Sequence, residues 1–600
     1  MLLAESEQPD VIGFSVINAN RHCAIDAANV LKQINKDIKI VFGGPAPTFE
    51  PYYFFRTCPA LDYIVKGEGE ETFAELVSCL GTDTKKMSDI RQIKGLIFRE
   101  PCHTLESSDS VQAKTTTSDK PESPAIVENP LRPMISDLDR LPHPAKYFDF
   151  QHISLSRGCP GRCTFCGSPD FWGKGKVRFH SAKWFVDEME LLNRRGVSHF
   201  FVSDDTFTMK KNLVIEVCQE IVHRFVDRGL KITWAAISRV DFIDEEMLLH
   251  MRKAGCIQIS FGVESGSEKI RRTLGKPFKN ETIIRAFRLT ASFGILPRAY
   301  FIYGSPGETN ESIAKSIELM EQLKPLSMVS YMLVLFPGTA LYKNLFSLAS
   351  TLKPNKVELI SEEKEEEAKM SIWDQKIEDI PWFELDPDLD FEMVKGFGAA
   401  LRNSFYSNVH RFALDVRLVE NKELYPYHAD FLSRLAMTFS HGDYASNPKV
   451  QNQDGTAATL YKQALSYAPD SRAYLGLAML MQKQKNFQEA VSIIEQAFEK
   501  INYSKDCSVT ENSEAQSTYH DDQSTNHDLQ STDHDAQSTD RDARSGIANC
   551  HNQTVKRQLV LCMAISLMNM GRFKEALTHL EPFGNDQDIK PYMTACLSRV

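Results

Sequence analysis

Arg157-Gly158-Cys159-Pro160-Gly161-Arg162-Cys163-Thr164-Phe165-Cys166 places three thiols on one short loop. The run Ile153 to Ser156 before it reads as a strand, and the loop glycines let the backbone curl around a small inorganic core. Three protein ligands leave one position open. A structural zinc site wants a fourth Cys or His, and the next candidate, His180, stands fourteen residues past Cys166 without a paired partner. An iron-sulfur centre with an open iron can instead bind and activate a substrate. The loop by itself leaves zinc, chance clustering and an iron-sulfur cluster open.

Outward from the loop, short apolar runs alternate with helical patterns. They are Ile153 to Ser156, His199 to Ser203, Ile232 to Ile237, Ile257 to Gly262, Arg298 to Tyr303 and Met328 to Phe336. Six strand and helix pairs over 134–345 predict a (β/α)6 partial TIM-type barrel, with reactive groups at the carboxyl ends of the strands.

Upstream, Val11 to Ile17, Ile38 to Phe42 closed by Gly43-Gly44, and Leu61 to Val65 leading into Gly67-Glu68-Gly69-Glu70 read as strands with intervening helices. Residues 1–100 therefore predict a partial, truncated doubly wound α/β domain with an open parallel sheet. Residues 101–133, rich in Ser, Thr, Pro and charge, read as a flexible insertion.

Downstream, 346–425 reads as a linker and helical extension containing the charged run Glu362 to Lys369. In 426–600 small and apolar residues recur at similar offsets, with Ala457 and Ala490 33 positions apart. That period resembles an all-α tetratricopeptide-like array. It is interrupted at 504–555 by a His/Asp/Gln/Ser/Thr tract that reads as disordered low complexity rather than as metal binding by His520, His527 and His534.

The chain has 600 residues, 42% hydrophobic and 25% charged, which is the composition of several globular domains. A net charge of -11 argues against a protein devoted to the nucleic-acid backbone. No basic-then-apolar leader and no span-length apolar stretch occurs, so a cytoplasmic protein without a membrane span is expected. Thirteen cysteines, an odd number, make a disulfide framework a poor reading.

The spacing C-x-x-x-C-x-x-C, the aromatic residue before the last cysteine, the preceding strand and the six-strand pattern resemble the radical S-adenosylmethionine superfamily. The resemblance implies that Cys159, Cys163 and Cys166 hold a 4Fe-4S cluster whose open iron binds S-adenosylmethionine, cleaved by one electron to a 5'-deoxyadenosyl radical. It also implies S-adenosylmethionine contacts from Phe165, from Asp204 and Asp205 in place of the usual Gly-Gly-Glu, from Glu264 and Ser265, and from Gly304. Helix capping is the rival reading for the Asp pair and for Ser265, and a tight turn for Gly304. No catalytic acid or base is identified.

Ser15, Gly43-Gly44 and the Gly67 to Glu70 segment resemble the cobalamin-binding domain that precedes one subclass of these enzymes, the group of anaerobic magnesium-protoporphyrin monomethyl ester cyclases and cobalamin-dependent methyltransferases. A small hydroxyl and a Gly-Gly turn suit a nucleotide-tail slot. The chain departs from that pattern. About two strand and helix units would precede Asp10 in a complete domain, and no Asp-x-His-x-x-Gly loop occurs. Either the start lies upstream of Met1 or the domain is a remnant. The expected chemistry is cobalamin-linked methyl transfer to, or oxidative modification of, an unactivated carbon of a small molecule, with an external electron donor. The alternatives are a cobalamin-independent radical enzyme and a tetratricopeptide scaffold with an inactive or zinc-bound barrel. The helical repeats are expected to recruit a partner protein or to cap the barrel.

Overall fold

The computed structural model describes residues 6–81, 87–100, 125–173, 175–344, 381–501 and 554–600. Glu362 to Lys369 and the histidine-bearing tract around His520 lie outside them.

The first sheet has the order β1 (Val11–Ser15), β2 (Lys39–Gly43), β3 (Tyr63–Val65), β4 (Leu96–Arg99) and β5 (Ile126–Glu128). β1, β2 and β3 are parallel, with Ser15 opposite Gly43 and Gly43 opposite Val65. The expected all-parallel sheet needs correction, because β4 and β5 pair antiparallel. Leu96, Ile97 and Phe98 are buried, and an apolar run of that length carries no sign of its direction. β5 falls inside the stretch read as a flexible insertion. Its three residues sit among Ser, Thr and Pro, so their pairing is invisible to composition.

The second sheet is parallel throughout and follows chain order: β6 (His152–Ile153), β9 (His199–Val202), β10 (Thr233–Ser238), β11 (Cys256–Glu264), β12 (Leu296–Tyr303) and β13 (Ser327–Met332). Between β6 and β9 a small ribbon, β7 (Ser156–Arg157) with β8 (Arg178–Phe179), carries the three-cysteine loop. Each strand turns one face to the helices. Trp234, Ile259, Phe261, Ala299 and Phe301 are buried there with Val214, Val217 and Ile221 of the helix Lys211–Arg224. Burial of this kind is worth about 25 cal/mol per Å2 and dominates the stability of such layers. The helices start where the sequence offers caps: Ser181 accepts from Trp184 N and Asp244 from Met247 N.

Beyond residue 380 the described chain is helical. The helix Phe391–Leu414 packs on the sheet, with Lys324 Nζ 2.8 Å from Asp415. Four further helices, Tyr425–Ser440, Gln453–Tyr467, Ser471–Lys483 and Phe487–Lys500, pack in succession. The part from Tyr425 onward meets the sheet at the amino ends of its strands: Tyr444 Oη donates to Leu326 O at 2.7 Å, just before β13, and Arg252, just before β11, pairs with Asp430 at 2.7 Å. The start of the helix Phe391–Leu414 instead reaches the carboxyl end of β12, where a Cβ at Gly304 would lie 3.1 Å from Val394. No helix among the described residues is long and apolar enough to cross a membrane.

Asp430 is the junction. Arg252 Nη2, Arg434 Nε at 3.0 Å and Arg472 Nη2 all converge on its carboxylate. Burial opposes its charge, but the three guanidiniums win and hold its carboxyl well below the usual range. A carboxyl depressed in the folded state stabilises above its unfolded pKa and loses that contribution as pH falls below it. The native protein is thus expected to lose stability steeply below the ordinary carboxylate range. Asp430→Asn, which leaves three guanidiniums without their anion, is expected to cost about 3–5 kcal/mol at neutral pH and to flatten that acid limb. Thermal unfolding followed over a pH series measures both.

Candidate functional site

The cysteines lie at the carboxyl ends of the strands, on a loop held from several sides. Thr164 N donates to Leu274 O at 3.0 Å, and Leu341 N donates to Thr164 O at 2.7 Å. Cys159 Sγ lies 3.4 Å from Thr206 Oγ1 and accepts from Gly161 N at 3.3 Å. All three thiols are free of disulfides. A Cβ built at Gly161 would stand 3.3 Å from Cys159 Sγ, 3.7 Å from Cys163 Sγ and 2.8 Å from Arg239 Nη1. Any side chain at 161 would fill the space that the two sulfurs share.

That arrangement suits a polynuclear centre. No three His, Cys, Asp or Glu among the described residues, the three cysteines included, are drawn together as ligands of a single ion. His180, the next zinc-ligand candidate in sequence, donates through Nδ1 to Asp139 at 3.1 Å and stacks on Trp184 at 3.6 Å. Burial holds its pKa down at about 4. Two of the thiols resist ionisation on their own: burial pushes Cys166 up to about 12 and raises Cys163, which Lys276 partly offsets. A bound metal supplies the charge that makes such thiols ligands.

Two cations flank the sulfurs, and neither was among the residues singled out in the sequence. Arg239, directly after β10, stacks on Phe278 at 4.8 Å and pairs with Asp241 at 2.9 Å. Lys276 is buried, with Nζ 2.7 Å from Glu264. Burial works against its charge, but Glu264 and Cys163 keep its pKa above the ordinary value. Position was the available signal for Arg239, since it ends a strand of the predicted sheet. Lys276 had none, because it lies in a loop.

The residues predicted to contact S-adenosylmethionine divide. Glu264 sits beside the loop at a register shift between β11 and β12, with φ +64°, bound to Lys276. Asp205 faces a cavity and accepts from Ser168 Oγ at 2.6 Å. Phe165 is half-buried and packs on the main core. Asp204 has other work. It is buried and accepts from Leu155 N at 3.0 Å, Ser156 N and Ser156 Oγ at 2.7 Å, while burial raises its carboxyl to about 6. It ties the end of β9 to the start of the cysteine ribbon and does not cap the following helix. Ser265 is fully buried, accepts from Ser267 N at 3.2 Å and lies 3.3 Å from Ser316 Oγ. Its hydroxyl serves the turn. Gly304 and Ser305 donate their N–H groups to Glu308, whose carboxyl burial raises to about 7.

The two sheets meet at a cavity of about 570 Å3. Gly43, Gly44 and Gly67 to Glu70 form one wall, and Arg157, Gly158, Ser203 and Asp205 face them from the cysteine side. Gly44 has φ +99°, and a Cβ there would lie 2.8 Å from Val16 O, so the turn into the cavity requires glycine. Ser15 is exposed on the edge strand and does not line the cavity. Its carbonyl accepts from Asn20 Nδ2 at 3.1 Å. Glu68 locks the walls together, accepting from Arg157 at 2.8 Å, Arg178 at 2.7 Å and Ile135 N at 2.8 Å. The bare backbone at Gly43 and Gly67 and the rings of Phe171 and Trp172 across the cavity fit a broad, flat ligand face.

Comparison with known proteins agrees with this geometry. Residues 153–320 match the radical SAM superfamily, and residues 2–77 match the B12 binding domain. An uncharacterized methyltransferase of Pyrococcus horikoshii is 31% identical over 356 residues, 57% of this chain and 70% of that protein. The anaerobic magnesium-protoporphyrin IX monomethyl ester cyclase of Rubrivivax gelatinosus is 28% identical over 333 residues, 53% of this chain, and the chain spans only 55% of its length. The solved structure of the radical S-adenosylmethionine methyltransferase TsrM from Kitasatospora setae, with cobalamin and a 4Fe-4S cluster bound, shares the fold. Its TM-score is 0.52 at 17% identity, over 80% of this chain and 89% of that one. With a cysteine loop at the strand ends of one sheet and a glycine-walled cavity shared with the other, the chain belongs to the radical SAM superfamily, in the subclass that carries a B12-binding domain.

Proposed function

We propose that this protein is a radical enzyme that uses a 4Fe-4S cluster, S-adenosylmethionine and cobalamin to methylate or oxidatively modify an unactivated carbon of a small molecule, with electrons from an external donor. The observation that carries the reading is the shared cavity, which brings the cysteine ribbon and the glycine wall of the first sheet to one place. The cluster, when bound, supplies the electron that splits the sulfonium of S-adenosylmethionine.

The protein's own residues do the rest. Cys159, Cys163 and Cys166 hold three irons. Arg239 and Lys276 set positive charge against the Cys159 and Cys163 sulfurs and offset the negative charge that three thiolates bring. Glu264, fixed by Lys276, and Asp205, which lines the cavity, would receive the amino group of S-adenosylmethionine. Asp204 is a positioning residue for the cysteine ribbon. Gly43 and Gly44 give cobalamin a backbone surface, and the Glu68 pairs with Arg157 and Arg178 hold the two walls of the cavity together. The six-stranded sheet follows the plan of an open partial barrel, and the helices from Tyr425 onward follow a tetratricopeptide-like plan of packed pairs, a surface suited to a partner protein.

Anaerobic reconstitution followed by reduction with S-adenosylmethionine is expected to yield 5'-deoxyadenosine, and Cys163→Ala to abolish both the product and the bound iron. A wild-type protein that binds iron to the same extent as the variant and forms no product would sink the reading.

Asp204→Asn removes one acceptor from Leu155 or Ser156. It is expected to lower the midpoint of thermal unfolding by the equivalent of about 1–3 kcal/mol and to cut iron content after reconstitution, while Asp204→Glu restores part of it. Iron unchanged in Asp204→Asn would remove the positioning role.

Gly43 tolerates a side chain, since a Cβ there meets only Val65 atoms at 3.7 and 3.9 Å. Gly43→Leu is therefore expected to fold and hold iron yet to lose cobalamin on gel filtration, read from the absorbance of the protein peak. Equal retention by wild type and variant would count against the glycine wall as the cobalamin surface.

A further inference from the structure

The strands of the second sheet have a face turned away from the helices, and its chemistry is uneven. Along β12, Pro297, Ala299 and Phe301 are buried against the helical layer, so the alternation of a strand puts Arg298, Tyr300 and Ile302 on the other face. Register sets Arg298 opposite Ser260 of β11 and Ser327 of β13, and Ser260 opposite Ile237 of β10. The next rows hold Tyr300 with Val329, then Ile302 with Tyr331.

Apolar side chains on this face are left uncovered. Phe201 is 38% exposed, Ile237 40% and Tyr331 56%, and the Tyr300 and Tyr331 rings lie 6.1 Å apart at 49°. An open apolar face beside a radical-generating loop is a place for a ligand.

Charge narrows the ligand. Within the six strands Arg298 is the one arginine or lysine, and Glu264 the one carboxylate. Glu264 pairs through one oxygen with Lys276, at the cysteine end of the sheet. Arg298 Nε donates to Ser327 Oγ at 3.0 Å, and the titratable group that feels its charge is the Tyr444 phenol; none of the ion pairs among the described residues includes Arg298. A half-buried guanidinium without an anion is costly, and its two Nη groups match a carboxylate in a bidentate pair. Two small serines flank it and leave the approach open.

We propose that this face is the substrate site, and that Arg298 anchors the carboxylate of a substrate whose ring body lies on Ile237, Tyr300 and Tyr331. The proposal rests on the reading of this protein as a radical enzyme and names the substrate class of that site. From Ser260, level with Arg298, β11 climbs four residues to Glu264 beside Cys163, roughly 13 Å at about 3.3 Å per residue. That span takes a ring system with its carboxylate at one end and its reacting carbon at the other, near the cysteine loop. One guanidinium balances one carboxylate; a phosphate would call for a second cation.

The test uses 3-phenylpropionate and its neutral isostere 3-phenylpropionamide as probes, in equilibrium dialysis against the anaerobically reconstituted full chain. The acid is expected to bind at least about tenfold more tightly than the amide, the ratio a charged hydrogen-bonded pair carries. Arg298→Gln should bring the acid to the level of the amide, whereas Tyr331→Ala should weaken both probes alike. Without any variant, phenylglyoxal labelling read by mass spectrometry should modify Arg298 in the free protein and spare it when the acid, but not the amide, is present. Equal affinity for the two probes in the wild type, or labelling of Arg298 that the acid does not slow, overturns the anchor. Formation of 5'-deoxyadenosine by the same wild-type preparation is scored separately, so a failed anchor and a failed radical reading give different results.

Discussion

A single buried carboxylate holds the reactive end of this protein in place. Asp204 follows β9 and accepts from the backbone of Leu155 and Ser156 and from the Ser156 hydroxyl, at the start of the ribbon that leads to Cys159. Removed from water, the group is costly unless its acceptors are filled, and here both oxygens are used. Consequently the loop cannot shift relative to the sheet without stripping those bonds. The other supports of the loop, at Leu274 and Leu341, come from later in the chain, so the site is complete only when most of the second sheet has folded.

The same economy of charge joins the domains. Glu68 of the first sheet's loop accepts from Arg157 of the cysteine ribbon and from Arg178 of its partner strand. Trp172 lies within 6 Å of both guanidiniums. This pairing sits on the wall of the shared cavity, so contact between the two sheets and the shape of the cavity are one interaction. At the opposite end of the strands Asp430 plays a comparable part for the helical region. Two carboxylates, each facing more than one arginine, thus fix the order of the three parts along the axis of the sheet.

Much of the fold was legible in the order of the residues. The six strands of the second sheet carry apolar runs separated by amphipathic helices, and every one of those runs became a neighbour of the next in the order of the chain. β5 was not legible, because a strand of three residues inside a Ser-, Thr- and Pro-rich stretch has no pattern of its own. The direction of β4 was hidden for a related reason: antiparallel pairing depends on where the chain returns, not on which residues return.

The sequence by itself determined the cysteine spacing, the glycine turn at Gly43-Gly44 and the family plan, because ligand identity and positive φ are properties of individual residues. Only the tertiary structure decided what the neighbouring acids do. Asp204 and Asp205 are adjacent in sequence, yet one is spent on holding the loop and the other faces the cavity, because successive side chains at a strand end point to opposite sides. Likewise it was folding, not spacing, that brought Arg239 from a strand end and Lys276 from a loop to the sulfurs and left Arg298 without an acid. Charge partnerships of that kind depend on distance through space, which a linear order of residues does not record.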